Sequence, residues 1–400
     1  MSSTQSSALD SENFCLATDL EQLTKVAHIK ATEAMVFYCG RILEATSNYC
    51  VIQLGDKAKS NVFANIEYIN DFNLLDEKTR HWAHALRRLA NQFRHILKPT
   101  EDNDGDISVI LLDMWMDWLI NRSQLINSDS QNYVPISNQQ QQLYYQFNAL
   151  REWLEHKQLN QLVQGNTNDY LRQPVFASVI CEELINQQNY STANDFLSEA
   201  LKEHPKDLRL QQLLGLLLSR TGELRKAESN LRRLLKQFPN DDETIGILAG
   251  VIKKLWQNGA QDKLSQWGKL YVKGWQQSKY RNTYLGINAA TYSLWSGDRE
   301  ASQSIASSII DTYTTRATVL QERLHQPDQK MDYWDLASLS ESYLLAGNIE
   351  QAEIHYQRLF DSPLYQGKPH QVPANQLAHH LKVCIDIESH VLSQFATIAQ

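Results

Sequence analysis

Four residues of one stretch, HWAHALRRLANQFRHILKP, could act together on a phosphate: Arg87, Arg88, Asn91 and His95. On a helix Arg87, Asn91 and His95 stand at i, i+4 and i+8, so they share a face, and Arg88, two turns before His95, lies on nearly the same one. A guanidinium would hold a scissile phosphate bidentately. The amide would orient it, and an imidazole titrating near neutrality would move a proton to or from a 2′-hydroxyl or the leaving oxygen. That chemistry is metal-independent RNA cleavage, and it needs no cofactor. The same four residues also read as a solvated face, or as cations bonded to carboxylates. Asp76 and Glu77 before the helix, and Asp102, Asp104 and Asp106 after it, are the partners expected in that case.

Other chemical signals are weaker. His81-x-x-His84 has the spacing of two metal ligands, but no further ligand is placed by spacing, so no metal is expected. Asp113 and Asp117 flank Trp115 and read as the wet edge of a buried helix. GDKAKS at Gly55 lacks the glycine and lysine positions of a phosphate-binding loop. No GxGxxG, HExxH or GxSxG occurs. The five cysteines, Cys15, Cys39, Cys50, Cys181 and Cys384, are scattered and never in CxxC spacing, which points to reduced thiols in a cytoplasm.

The arginine-bearing helix needs neighbours to position it. Residues 1–19 are Ser-rich and polar and read as disordered. FYCGRILEATSNYCVIQL predicts a buried helix with Phe37, Ile42, Leu43 and Tyr49 on its apolar side. After a loop at Gly55–Ser60, Val62, Ile66, Ile69 and Leu74 recur at helical spacing. Asp76-Glu77 would cap a helix over Lys78–Leu97, which Pro99 ends. TEDNDGD reads as an acidic turn, and Ile107–Ile120 as a buried apolar helix. The polar, Gln-rich stretch 126–142 reads as a linker, which sets a first domain at 20–125.

The run Leu86-Arg87-Arg88-Leu89-Ala90-Asn91-Gln92-Phe93-Arg94-His95, with Arg41-Ile42-Leu43-Glu44 upstream, resembles the HEPN superfamily over about Leu20–Ile120. The resemblance implies a helical bundle. Many such domains are metal-independent ribonucleases whose composite site forms across a homodimer. Their signature, Arg and His separated by about four to six residues, is met from Arg88 with six between and not from Arg87 with seven.

Residues 143–400 read as a repeat domain. Laying Pro174–Asp207 over Leu208–Asp241 brings Ala193 onto Ala227, Leu197 onto Leu231 and Pro205 onto Pro239, a period of 34 residues, which is the length of a tetratricopeptide repeat (TPR). Gly215 marks a close helix crossing, Thr221-Gly222 a helix end, and Ala227 a packing position. Tyr333–Pro363 repeats the pattern with Leu336, Leu339, Tyr343, Gly347, Ala352 and Tyr356. Asn282–Asp311 carries a weaker copy with Gly297-Asp298 as the turn and Ala301 as the packing alanine. Leu143–Val163 reads as a capping helix and Gln376–Phe395 as a closing one.

Within this region ETIGILAGVIKKLW, YVKGW, YLGINAATYSLWSGD and YWDLASLSESYLLAGNIEQA resemble the TRAFs-binding, TPR-like region of apoptosis signal-regulating kinases and its bacterial relatives, over about Pro174–Cys384. The resemblance implies a helical regulatory module that binds a protein partner it does not name. Asn288, polar inside an apolar helix, is expected to bond a neighbouring loop's backbone. Alternatively Asn288 and Tyr284 contact a ligand in the groove. Trp295 and Trp334 are expected in the core.

No strand alternation appears, so the fold class is all-α: a HEPN-like bundle followed by a TPR-like α-solenoid. An apolar fraction of 42% suits a globular protein, and a net charge of −8 argues against general nucleic-acid or anionic-membrane binding. No apolar run approaches the roughly 20 residues that span a bilayer. The opening MSSTQSSALDSENF has neither a basic nor an apolar segment, so no signal peptide is expected. The leading expectation is a cytoplasmic interaction scaffold, coupled to the HEPN-like domain in bacterial stress or defence signalling. Its rivals are a ribonuclease regulated by the repeats, and a regulator that binds RNA or nucleotide without cutting it. RNA at the first domain, and a homodimer through it, are the further partners expected.

Overall fold

The structure, a computed structural model, describes residues 16–94, 104–126, 136, 174–324, 331, 333–362, 371–383 and 389–398. Among them are seventeen α-helices, one π turn, one 3-10 turn and no strand, as the all-α reading requires. The chain divides into two compact units, residues 1–210 with 319–326, and residues 211–318 with 327–400.

The first unit is built on α2 (Thr32–Gln53), which packs against α1 (Leu16–His28), α3 (Val62–Asn70), α4 (Glu77–Arg94) and α5 (Asp104–Asp117). Val36, Cys39, Ile42, Cys50 and Val51 of α2 are wholly buried. Phe37 is not among them: it is 51% exposed, with the Arg41 guanidinium 5.6 Å above its ring. Asp104 and Asp106 of the predicted acidic turn lie in the first turn of α5, where the helix dipole favours them. Trp115 donates from Nε1 to Thr46 Oγ1 (2.8 Å) and so pins α5 to α2. A π turn, Trp118–Arg122, follows, and Trp118 Nε1 donates to the Leu74 carbonyl at 2.9 Å. Asp113 is fully buried rather than at a wet edge, and its Oδ1 accepts the Ile136 N–H at 3.0 Å. Most of 126–142 and the predicted helix at 143–163 lie outside the described residues. The unit also contains α6 (Pro174–Asn186), which packs on α4, and α7 (Tyr190–Glu203).

Helix α8 (Leu208–Arg220) leads into the second unit. Its pairs are α8 with α9 (Leu224–Gln237), α10 (Asp242–Gln257) with α11 (Leu264–Gln277), α12 (Thr283–Trp295) with α13 (Arg299–Leu324), and α14 (Tyr333–Leu345) with α15 (Ile349–Phe360). α16 (Gln371–Val383) and α17 (His390–Thr397) close the chain. Each turn within the first four pairs holds a glycine at positive φ: Gly222, Gly259, Gly297 and Gly347. There the residue after the glycine donates its N–H back to the helix, as in Asn348 to the Tyr343 carbonyl (2.9 Å). Gly215 does mark a close crossing, because a Cβ on it would meet Leu231 Cδ2 at 2.6 Å. In the weaker copy the packing position falls on Ser302, 1% exposed, and not on Ala301, whose N–H bonds the capping Asp298 (3.0 Å).

Candidate functional site

Helix α4 begins at Asp76, whose Oδ1 accepts the Thr79 N–H (2.9 Å) and whose Oδ2 accepts the Thr79 hydroxyl (2.8 Å). Deeper in, Gly40 of α2 lets α4 come close, since a Cβ there would sit 2.7 Å from Ala90 Cβ. Trp82, Ala83, Leu86 and Leu89 are the buried stripe. The arginines and histidines flank that stripe on two sides.

On one side lies α3. Glu67 accepts both Arg80 Nε and Nη2 at 2.8 Å, and His84 Nε2 at 2.8 Å. Burial alone would raise the Glu67 carboxyl, but Arg80 and His84 outweigh it and hold it well below the usual carboxylate range. Burial lowers His84 to about 4 against the pull of Glu67, so the ring is neutral at pH 7 and its Nε2–H is the donor. Arg87 lies with its guanidinium 5.3 Å above the Phe63 ring. On the other side lies α6, where Glu182 Oε1 receives His81 Nε2 at 2.9 Å and Arg209 Nη2 at 2.5 Å. Burial, then Arg209 and Arg87, lower the Arg88 guanidinium to about 10, while Asp207 and Glu182 pull the other way.

Of the four sequence-derived residues, Arg87 therefore faces Phe63 of α3, and Arg88 sits in the field of Glu182, Asp207 and Arg209. Asn91 is half-buried, and His95 lies outside the described residues. The carboxylates that bond this helix are Glu67, to Arg80 and His84, and Glu182, to His81. Asp76 instead caps the helix and meets Arg122 (3.2 Å). His81 and His84 go to different carboxylates. No group of three or more metal-ligating side chains occurs among the described residues.

In the second unit Tyr284 is 53% exposed, and its hydroxyl lies 3.2 Å from that of Tyr271. Asn288 is 6% exposed. Its Nδ2 donates to the Tyr284 carbonyl of its own helix (2.9 Å), not to a loop, and its Oδ1 accepts from Lys253 Nζ (2.8 Å). Lys253 also donates to Gln376 Oε1 at 3.0 Å. Beside it Glu341, 8% exposed, accepts at Oε1 from Thr291 (2.6 Å), Gln376 (3.0 Å) and His380 Nε2 (2.7 Å). Trp295 is half-buried with its ring 5.6 Å from that of His380, whereas Trp334 is 50% exposed. Sequence reasoning missed Lys253, although it stands 35 residues before Asn288, about one repeat period. Nothing local marked Glu67 or Glu182.

Residues 189–293 match a model of the family described as TPR-S, Tetratricopeptide Repeats-Sensor. A thermophilic TPR protein of Thermus thermophilus is similar in structure with a TM-score of 0.37 and 14% identity, over 52% of this chain and 97% of that one. IFIT1, in a monomeric mutant form with m7Gppp-AAAA, is similar with a TM-score of 0.34 and 13% identity, over 85% of this chain and 82% of that one. No curated protein matches the sequence.

Proposed function

We propose that this chain is a non-catalytic interaction scaffold. Its TPR-like repeats bind a protein partner, with Tyr284 on the contact surface, and its HEPN-like bundle serves as a binding or dimerisation module. The observation that carries this reading is where α4 puts its two candidate arginines: Arg87 lies over the Phe63 ring of α3, and Arg88 is in the field of Glu182, Asp207 and Arg209. A phosphoryl-cleaving face needs cations held ready for the substrate, and arginines already engaged by a ring and by neighbouring charges serve as packing and pairing groups instead. The match to a sensor family over 189–293 and the TRAFs-binding resemblance support giving the partner to the repeats. By the same resemblances, the setting is bacterial stress or defence signalling.

The test is induced expression of the wild type and of an Arg88→Ala/His95→Ala variant in bacterial cells, following growth and total RNA together. The scaffold reading expects the same growth and intact RNA from both. RNA fragmentation by the wild type, lost in the variant, would replace it with a repeat-regulated ribonuclease. RNA that co-purifies uncut with the wild type alone would favour the non-cutting binder.

A further inference from the structure

Buried polar atoms without a hydrogen-bond partner are rare, and each calls for an explanation. Three of those among the described residues gather in one place in the second unit: Nε1 of Trp256, Trp267 and Trp295. The three indoles form one cluster, with ring centroids 6.0 Å (Trp256–Trp267), 5.2 Å (Trp256–Trp295) and 5.9 Å (Trp267–Trp295) apart. His380 stands 5.6 Å from Trp295. Lys253 Nζ lies 5.4 Å from the Trp267 ring centroid and 5.8 Å from that of Trp295.

This cluster is rich in donors. An indole N–H can only donate, and an ammonium carries three protons. Lys253 spends two on Asn288 Oδ1 and Gln376 Oε1. Glu341 Oε1 already receives three bonds. What would complement the set is a group that brings acceptors and negative charge, with an apolar body suited to indole faces. We propose that the cluster is a binding site for a small oxyanion, a carboxylate or phosphate whose oxygens take the indole N–H groups and Lys253. Lys253 and Trp256 belong to α10, Trp267 to α11 and Trp295 to α12. A ligand there joins three helices and stabilises them together by mass action. The site stands apart from the scaffold reading and needs no protein partner.

The test titrates the full chain separately with inorganic phosphate and with benzoate, following tryptophan fluorescence and thermal unfolding. At least one probe should give a saturable fluorescence change and raise the melting temperature. Lys253→Met should weaken that binding roughly tenfold or more, the loss of a charge-assisted bond. Trp295→Phe keeps a ring but removes one N–H, and should weaken binding with the helical circular-dichroism spectrum unchanged. It carries the test alone if Lys253→Met does not fold. A response to phosphate only would identify a phosphate-bearing ligand, and a response to benzoate only an aryl or alkyl carboxylate. The proposal is overturned if neither probe gives a saturable change, or if the folded variants bind as tightly as the wild type.

Discussion

His84 shows how a single side chain makes this protein sensitive to acid. Its folded pKa of about 4 lies below the ordinary 6.5, so between those values the unfolded chain holds a proton that the folded chain refuses. Stability therefore falls as pH drops from about 6.5 to 4, by on the order of 2–3 kcal/mol for this one group. Glu67 is depressed instead, so its contribution is full above its ordinary value of 4.5 and is lost as the pH falls below it. Urea unfolding at several pH values should show the slope, and His84→Gln should flatten it. The cations of α4 were legible in the sequence because they stand at helical spacing. Their partners were not, because Glu67 lies on a different helix and Glu182 on one far along the chain. Local aspartates were the natural guess, but cap chemistry claimed Asp76 and helix α5 claimed Asp104.

Among the elements, the repeat helices were the most readable, since their punctuation is covalent. Glycine at a helix end and alanine at a crossing leave marks that need no knowledge of the neighbours. Serine can also fill the crossing, so the mark at Ser302 was read one residue early. Phe37 and Trp334 misled in another way: large apolar side chains were assigned inward by type, yet about half of each is exposed. Two glycines separate the two reasons for having one. At Gly268 a Cβ would lie 2.0 Å from Tyr292 Cδ2 of the next helix, whereas at Gly222 it would meet nothing within 4 Å and only φ +86° opposes it. Gly268→Ala should thus cost more than about 3 kcal/mol, or misfold the array, through overpacking. Gly222→Ala should cost only about 1 kcal/mol. Equal losses in chemical denaturation of the two variants would contradict this ordering.

For the molecule as a whole, composition and periodicity conveyed the helical class, and no helix among the described residues is long and apolar enough to cross a membrane. They could not convey that α6 and α7 belong with the first compact unit, because that grouping rests on contacts between distant segments. Net charge is a whole-chain property with its own prediction. At −8 the chain should repel a polyanion, so generic single-stranded RNA should bind more weakly than about 10⁻⁴ M at physiological salt. A gel-shift titration checks this, and a tight, salt-sensitive shift would call for a basic site that the net charge conceals.

The core of the first unit also has a clock in it. Cys39, Cys50 and Cys181 are all buried, and burial pushes each thiol far above its ordinary pKa. A thiolate is the species that alkylating reagents attack, so these three are silent while the first unit stays closed. Their labelling rate in native buffer then measures how often that unit opens, with mass spectrometry telling which helix let the reagent in.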